Sequence, residues 1–468
     1  MASQGHPAAD RLRSYLRELK PGARALLISE LERGLLHGTG PAGSEMMLAE
    51  LRRSLRDGSV RSTRFDDHAR LFFQPLEPFL VDDGPEHRHR GRIARSALEP
   101  IWLWINNSLM PADAKAYAVL VDDALLAGDS DKAEHAAREF QDRVLRRIQH
   151  WLETASDKDR GRLSVQLGTS RAADNVQTLH GILSARDNLS MLGALLPGHI
   201  NSFCEPIPET VQSQLDATLD DKNDLLVYAL VLLMGRLPAP WQLIRLATTA
   251  AGSGDTKRIA ETPYGVTIDI VLEEVERRVR ELAGDLKSGR GIAVSALLKD
   301  IHDALRGLRS EVDLPQDATW SKQLATLHAD ISKLLTAEIE LMPGRVWRLL
   351  RPHPSKEISP NSTLDPHEVQ ETEALVVFVL TCRKYASELA INEVTQRTCN
   401  ELQHLLDTRT RTLLDAVRGA SPTERAFRLS QVNAAVRFCA KVFGQEYASL
   451  LTKAAEVASH AERKLARG

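Results

Sequence analysis

The chain has 468 residues, 43% of them hydrophobic and 26% charged, which is ordinary for a globular protein and disfavours global disorder. Its 60 basic and 63 acidic residues leave a formal net charge of -3, which disfavours general nucleic-acid binding because such binding needs a basic excess. The four cysteines form no CxxC pair, so they indicate a reducing compartment rather than a disulfide framework.

The N-terminal region has no continuous apolar stretch, since Asp10 and Glu18 interrupt it, and a secretion signal is not expected. The longest apolar run, Leu225 to Met234, is shorter than the roughly 20 residues that cross a bilayer. This run therefore predicts a buried helix. We expect a cytoplasmic protein without a transmembrane segment.

Apolar residues recur at helical spacing along nearly the whole chain, whereas the alternation typical of strands is missing between turn signals. The sequence therefore predicts an all-α fold, a multi-helix array with more than about half of its residues helical. Three short helices are expected at the start, with these leucines on their faces: Leu12, Leu16, Leu19, Leu27, Leu31, Leu35, Leu48, Leu51 and Leu55.

Residues 266–341 predict a central antiparallel coiled-coil-like bundle of three helices. Apolar residues there repeat in steps of three and four, as in knobs-into-holes packing, and the connection near Pro315 is short enough to join antiparallel neighbours. The first helix contributes Val271, Val275, Val279 and Leu282; the second Val294, Leu298, Ile301, Leu305, Leu308 and Val312; the third Trp320, Leu324, Leu327, Ile331, Leu334 and Leu341.

The predicted organisation is an N-terminal helical domain over 1–128, a central helical domain over 129–352 and a C-terminal bundle of long helices over 365–468. Residues 353–364, rich in proline and serine, form the predicted linker. Asp365-Pro366 and Ser421-Pro422 predict helix starts, because each joins a capping residue to a proline, with a glutamate three residues after the cap.

One dipeptide has the residue types of a metal site. His302-Asp303 lies inside a predicted helix, and all-helical HD-type hydrolases use such a pair, with a distant His and Asp, to hold a divalent ion that activates water. The spacing places no second histidine beside it. A pair on the solvated helix face is the alternative.

Arginines recur in the segment that follows Asp82-Asp83. Arg88, Arg92 and Arg95 would share one helical face, which suits an anion or an acidic partner. The same arginines could equally be neutralised by Asp82 and Asp83. Metal binding by His87 and His89 is disfavoured because the neighbouring arginines repel a cation.

Aromatic residues are concentrated in one region of a chain that is only 5% aromatic. Phe72 and Phe73 could line a groove for a peptide or helix, because aromatic side chains dominate interface hot spots. The alternative is a local core. The other members of the group are Phe65, Phe79, Trp102 and Trp104.

A basic amphipathic turn precedes the predicted linker. Arg345, Arg348 and Arg351 are spaced by three, opposite Val346, Trp347 and Leu350, which suits an acidic protein, a phosphate or anionic lipid headgroups. In the alternative, Trp347 lies in the core and the arginines pair with neighbouring acids.

We expect a helical scaffold or adaptor that acts through protein–protein interaction, with a homo-oligomer as a further option, because no catalytic motif accompanies these surfaces. No phosphate-binding loop, nucleophile elbow or HExxH pair is present, so no cofactor is expected. An HD-type metal-dependent hydrolase around His302-Asp303 is the second hypothesis.

Overall fold

The computed structural model describes residues 27, 31, 67–219, 223–287, 291–315, 318–354, 358–359 and 362–465. The chain divides into two compact units, Met1–Arg70 and Leu71–Gly468. In the first unit Leu27 and Leu31 are helical, and the other leucines of the three predicted N-terminal helices lie outside the described residues.

The structure is 80% helical, which confirms the all-α prediction. Short 3-10 turns (Gln74–Phe79, Arg95–Ala97, Pro240–Leu243, Pro263–Gly265) and one π-helical turn (Ile105–Leu109) connect the helices. The α-helices are α1 (Asp67–Phe73), α2 (Leu98–Trp104), α3 (Pro111–Leu126), α4 (Ser130–Thr154), α5 (Asp157–Leu167), α6 (Ala172–Leu195), α7 (Ile207–Leu219), α8 (Asn223–Met234), α9 (Ile244–Ala251), α10 (Thr256–Ala260), α11 (Val266–Lys287), α12 (Gly291–Glu311), α13 (Thr319–Leu350), α14 (Pro366–Lys384), α15 (Asn392–Arg418), α16 (Pro422–Val442) and α17 (Gln445–Leu465).

Two strands of two residues each form a parallel pair, in which β1 (Leu80–Val81) aligns Leu80 with Ile93 of β2 (Ile93–Ala94). Val81, Ile93 and Ala94 are buried, so the pair is anchored in the core. The strands therefore hold both ends of the 82–92 segment against the helices.

The predicted antiparallel pairing of α12 with α13 is wrong. Helix α11 packs against both, but α12 and α13 make little contact with each other, and α14 packs against each of them. The Trp320 indole, expected to face α12, donates to Asp269 Oδ1 on α11 at 2.8 Å. Helix α14, which follows the predicted linker, thus covers apolar faces of α12 and α13 that the sequence pattern paired with each other.

The buried stripe of α13 also departs from the predicted heptad frame. After Ile331 the buried positions are Leu335 and Ile339, whereas Leu334 is half-buried and Leu341 is 52% exposed. A straight α-helix has 3.6 residues per turn, so a stripe that follows it drifts away from a strict 3.5-residue repeat. The stripe continues through Met342, Val346, Leu349 and Leu350.

Within Leu71–Gly468, helices contact each other across the predicted domain boundaries. Helices α3 and α4 pack together across the boundary at 128, and α13 packs against α14 and α15 across the predicted linker. The described residues of 353–364 are irregular, as expected, but they join helices that share one core. This packing removes apolar residues of α14, such as Phe378, from contact with water.

Both predicted helix starts are confirmed, although their hydrogen bonds differ from a reciprocal capping box. Helix α14 begins at Pro366, where Asp365 Oδ1 accepts from the His367 amide at 2.9 Å. Helix α16 begins at Pro422, where the Ser421 hydroxyl donates to Glu424 Oε1 at 2.9 Å. Within the described residues, no helix combines the length and the hydropathy needed to span a membrane.

Candidate partner-binding surface

The last turns of α13 present one exposed face that is both aromatic and basic. Trp347 is 45% exposed; Arg351, four residues on, lies beside it on the helix surface, and Arg345 and Arg348 are exposed on the adjoining side of the helix. Val346 and Leu350 alternate with them on the buried side, which fixes the direction of the exposed side chains. The alternative that placed Trp347 in the core is therefore not what the structure shows.

Two polar side chains of α16 hold the C-terminal end of α13. Gln431, fully buried, donates to the carbonyls of Leu349 at 3.2 Å and Arg351 at 3.0 Å. Arg428 donates to the His353 carbonyl at 2.7 Å. The last carbonyls of a helix have no partners within it; the bond to Leu349 satisfies one of them, and the bonds to Arg351 and His353 hold the chain just after the helix.

The charge of this face is only partly neutralised. Arg348 lies 3.9 Å from Glu368, and both side chains are largely exposed. Neither Arg345 nor Arg351 has an ion-pair partner among the residues that the structure describes. Arginines in the last turn also interact favourably with the helix dipole, by about 0.3–1 kcal/mol each. That stabilisation does not account for an exposed tryptophan between them.

We define the Trp347 face as the exposed residues of this end of α13. A helical residue at position i lies beside those at i+3 and i+4, so Leu341 is on the same side as Arg345 and Arg348. The heptad pattern predicts Leu341 in the packed seam, whereas the structure exposes it, because the heptad repeat does not continue to the last turns of α13. The members are Leu341, Arg345, Trp347, Arg348 and Arg351.

The predicted anion site at Arg88, Arg92 and Arg95 is already occupied by carboxylates of this chain. Arg88 lies 3.4 Å from Glu273, and Arg92 donates to Glu274 at 2.7 Å. The third arginine, Arg95, bonds Asp82 at 3.2 Å and Glu77 at 3.4 Å. The three residues are not on one helix, since only Arg95 is in a short 3-10 turn. The arginines are therefore paired within the chain, but of the two predicted acids only Asp82 takes part, with Arg95, while Glu273 and Glu274 of α11 pair with Arg88 and Arg92.

Glu274 is at the centre of this arginine network. Its side chain is 6% exposed and accepts hydrogen bonds from Arg92, Arg277 and Arg278 at 2.7–3.2 Å. Burial raises the pKa of Glu274, but the guanidinium groups outweigh burial and hold the pKa at about 2. The carboxylate is thus ionised, and it ties the 82–92 segment to α11.

His89 lies in the same segment with little access to solvent. Its Nε2 is 3.2 Å from Asp83 Oδ2 in an orientation that makes no hydrogen bond, while Arg280 donates to the same carboxylate at 2.7 Å. Burial lowers the pKa of His89 to about 4, and the Asp83 carboxylate only partly opposes this. His89 is therefore neutral near pH 7.

Phe72 and Phe73 are both buried, so the predicted groove for a partner is wrong at these residues. They contact each other edge-on, with ring centroids 5.0 Å apart, and both rings lie within 6 Å of the Trp102 ring. Phe140 stacks on Tyr117 at 4.5 Å in the same cluster. The aromatic concentration is a local core that packs α1 and α2 against α3 and α4.

His302 and Asp303 contact each other rather than a wider set of ligands. His302 Nδ1 lies 2.9 Å from Asp303 Oδ1, and the imidazole packs against the Tyr385 ring at 4.5 Å. No group of three or more His, Cys, Asp and Glu side chains within the described residues is placed to hold a metal ion. Among the described residues the dipeptide therefore has no third ligand of these types beside it.

Among the sequence-predicted partner residues, only those of the Trp347 face combine exposure, an aromatic side chain and unpaired positive charge. Arg88 is exposed but paired, and Arg92 is largely buried. Phe72 and Phe73 are core residues. Comparison with known proteins adds no function to this geometry: no family model, curated protein or solved structure matches the chain.

Proposed function

We propose that the protein is a helical adaptor that binds an acidic segment of another protein through the Trp347 face. The observation that carries the proposal is the exposure of Trp347 at a helix end that carries three exposed arginines, two of which have no ion-pair partner among the described residues. Tryptophan and arginine are the residue types most enriched in interface hot spots.

The chemistry of the face defines the partner. Leu341 and Trp347 offer apolar surface, so the partner contributes at least one apolar anchor. Arg345, Arg348 and Arg351 surround this surface, so the anchor is flanked by Asp, Glu or phosphorylated residues. Because Gln431 and Arg428 fix the end of α13, the face is preorganised and loses little conformational freedom on binding.

The test is quantitative affinity capture with the full chain from lysate of the source cells. We expect a partner with an acidic segment to be captured by the wild type and lost with Trp347→Ala and with Arg345→Glu/Arg348→Glu. Purified partner should then bind wild type with an affinity that falls as salt rises. Circular dichroism checks that each variant keeps its fold.

Two matched controls separate the face from general surface effects. Leu126→Ala removes a more exposed apolar side chain from α3, and Arg147→Glu reverses an exposed charge on α4. Both should capture the partner normally. Equal capture by every variant would contradict the proposal. So would binding to phosphatidylserine vesicles that depends on Trp347 without any dependent protein partner, since it would assign the face to lipid.

A further inference from the structure

A cavity of about 350 Å³ lies far from the Trp347 face in sequence, among four segments of the N-terminal part of the large unit. Helices α4 and α6 form two of its walls, the 71–79 segment forms a third, and Leu232 with Arg236 closes the last. Its volume is in the range of sites that bind small molecules. Glu134 and Ser190 are exposed at its edge, so the cavity opens to solvent there.

A buried amide lines this cavity with half of its hydrogen-bonding capacity unused. The Gln141 side chain donates from Nε2 to the Phe72 carbonyl at 2.8 Å, which fixes its orientation. Its Oε1 is buried without a partner in the described structure, although the residue is only 2% exposed. A buried carbonyl oxygen without a partner is unfavourable, because it has lost its hydrogen bonds to water. Because Oε1 has almost no surface accessible to water, a donor in the cavity recovers that cost only when the Gln141 amide turns towards it.

The arginines of the cavity provide positive charge. Arg186 is 13% exposed and donates from Nη2 to Asp142 at 2.7 Å; its Nε lies 4.0 Å from Asp187, and neither Nε nor Nη1 makes a hydrogen bond in the described structure. Arg138 lies beside it and makes only a long contact of 3.4 Å with Asp187. Arg236 donates to carbonyls at the end of α6, and no carboxylate among the described residues pairs with it. Glu134 is the one acidic side chain that lines the cavity.

The rest of the wall is apolar, and several of its residues come from a stretch that contains two prolines. Phe79 and Leu189 are buried side chains of this wall, and Pro75 and Pro78 limit how far the 71–79 segment can shift to close the space.

We propose that this cavity binds a small organic anion that has an apolar body and a hydrogen-bond donor. The anionic group lies against Arg186 and Arg138, the donor bonds Gln141 Oε1, and the apolar body packs against Phe79 and Leu189. The inference is independent of the adaptor proposal, because no residue of the Trp347 face contributes to the cavity.

The probe for the test is 1-anilinonaphthalene-8-sulfonate, which joins a sulfonate and an N–H donor to aromatic rings and fluoresces in apolar surroundings. We expect saturable binding at one site on the folded wild-type chain. N-phenyl-1-naphthylamine has the same rings and N–H without the sulfonate, so it should bind at least about tenfold more weakly. Equal affinity for the two probes would overturn the anion assignment.

Variants place the probe in this cavity rather than elsewhere on the surface. Arg186→Gln should weaken the sulfonate probe by about tenfold or more and leave the neutral probe unchanged. Asp142→Asn should tighten the sulfonate probe, because it releases Arg186 Nη2 from a competing carboxylate. Arg147→Gln, which removes an exposed charge from the same helix as Asp142, should change neither affinity.

A second variant keeps the proposal testable if Arg186→Gln does not fold. Ser190→Trp adds bulk at the exposed edge of the cavity without removing a core side chain, and it should abolish binding of both probes. Unchanged affinity in Ser190→Trp and in Arg186→Gln, with both variants folded by circular dichroism, would show that the probe binds elsewhere and would overturn the site.

Discussion

Glu274 shows how a single buried carboxylate can determine the position of a whole segment. It accepts from arginines of its own helix, Arg277 and Arg278, and from Arg92, which lies 182 positions earlier in the chain. Replacing one charge of a buried ion pair usually costs more than the pair contributes, because the remaining charges stay buried and uncompensated. The arginine network should therefore be more sensitive to Glu274 than to any exposed acid.

We expect Glu274→Gln to lower the free energy of unfolding by roughly 3 kcal/mol near pH 7, because three arginines lose their shared counter-charge. Glu281→Gln is the matched control: Glu281 also pairs with Arg277, but its side chain is 46% exposed, and the change should be below about 1 kcal/mol. Urea unfolding measures both. Equal effects of the two substitutions would contradict a central role for Glu274.

The same carboxylate predicts an acid dependence with a defined sign. The pKa of Glu274 is about 2 in the folded chain and lies below its ordinary value near 4.5, so ionised Glu274 stabilises the fold above pH 4.5. This contribution is lost as the pH falls from 4.5 through 2. The stability difference between wild type and Glu274→Gln should therefore shrink over that window.

The rotation of helix α13 about its own axis decides which of its side chains are exposed for partner binding. Its buried stripe follows the 3.6-residue turn through Leu335 and Ile339, and this rotation brings Leu341 and Trp347 to the surface. Had the helix kept the heptad frame, Leu334 and Leu341 would be buried. The Trp347 face thus exists because α13 packs against α11, α14 and α15 rather than along α12.

Two leucine truncations in α13 distinguish the frames. Leu335→Ala should cost about 2–5 kcal/mol, because it opens a cavity in the core. Leu341→Ala should change stability by about 0.5 kcal/mol or less, since its side chain is largely exposed, yet it should weaken partner capture. Thermal or urea unfolding measures the difference. If Leu341→Ala destabilised the protein more than Leu335→Ala, the heptad frame would be the correct one.

At the scale of the whole molecule, the large unit has one connected core on both sides of the 353–364 segment. Helix α14 packs against α12 and α13, so the two sides cannot bury their apolar faces separately. The six tryptophans all precede residue 353, which lets fluorescence report on one side of this segment alone.

We expect Phe378→Ala, in α14, to shift the unfolding transition seen by tryptophan fluorescence as much as the one seen by far-UV circular dichroism. The substitution removes a buried aromatic side chain and should cost about 3–5 kcal/mol. Phe378 lies after the segment and the tryptophans before it, so coincident shifts mean that both sides unfold together. An unchanged fluorescence transition would instead indicate two independent domains.

Local sequence patterns were sufficient to predict where helices begin, but insufficient to predict which side chains of the candidate site are exposed. Pro366 and Pro422 mark helix starts that the structure confirms, because capping depends on neighbours within one turn. The exposure of Trp347 depends on the packing of α13, and burial of Phe72 depends on Trp102 and Phe140. A pattern of aromatic and basic residues could not distinguish these two outcomes.

The sequence by itself determined that this protein is built from helices, since apolar spacing and caps act over three to four residues. It also singled out Arg345, Trp347 and Arg348 as an amphipathic turn. Only the tertiary structure decided which arginines are neutralised, which helices pair and where a cavity remains. The physical reason is that these features depend on contacts between segments that are distant in sequence, whose energies no local pattern encodes. Glu274 bonds Arg92, and Gln141 and Arg186 line the same cavity from different helices.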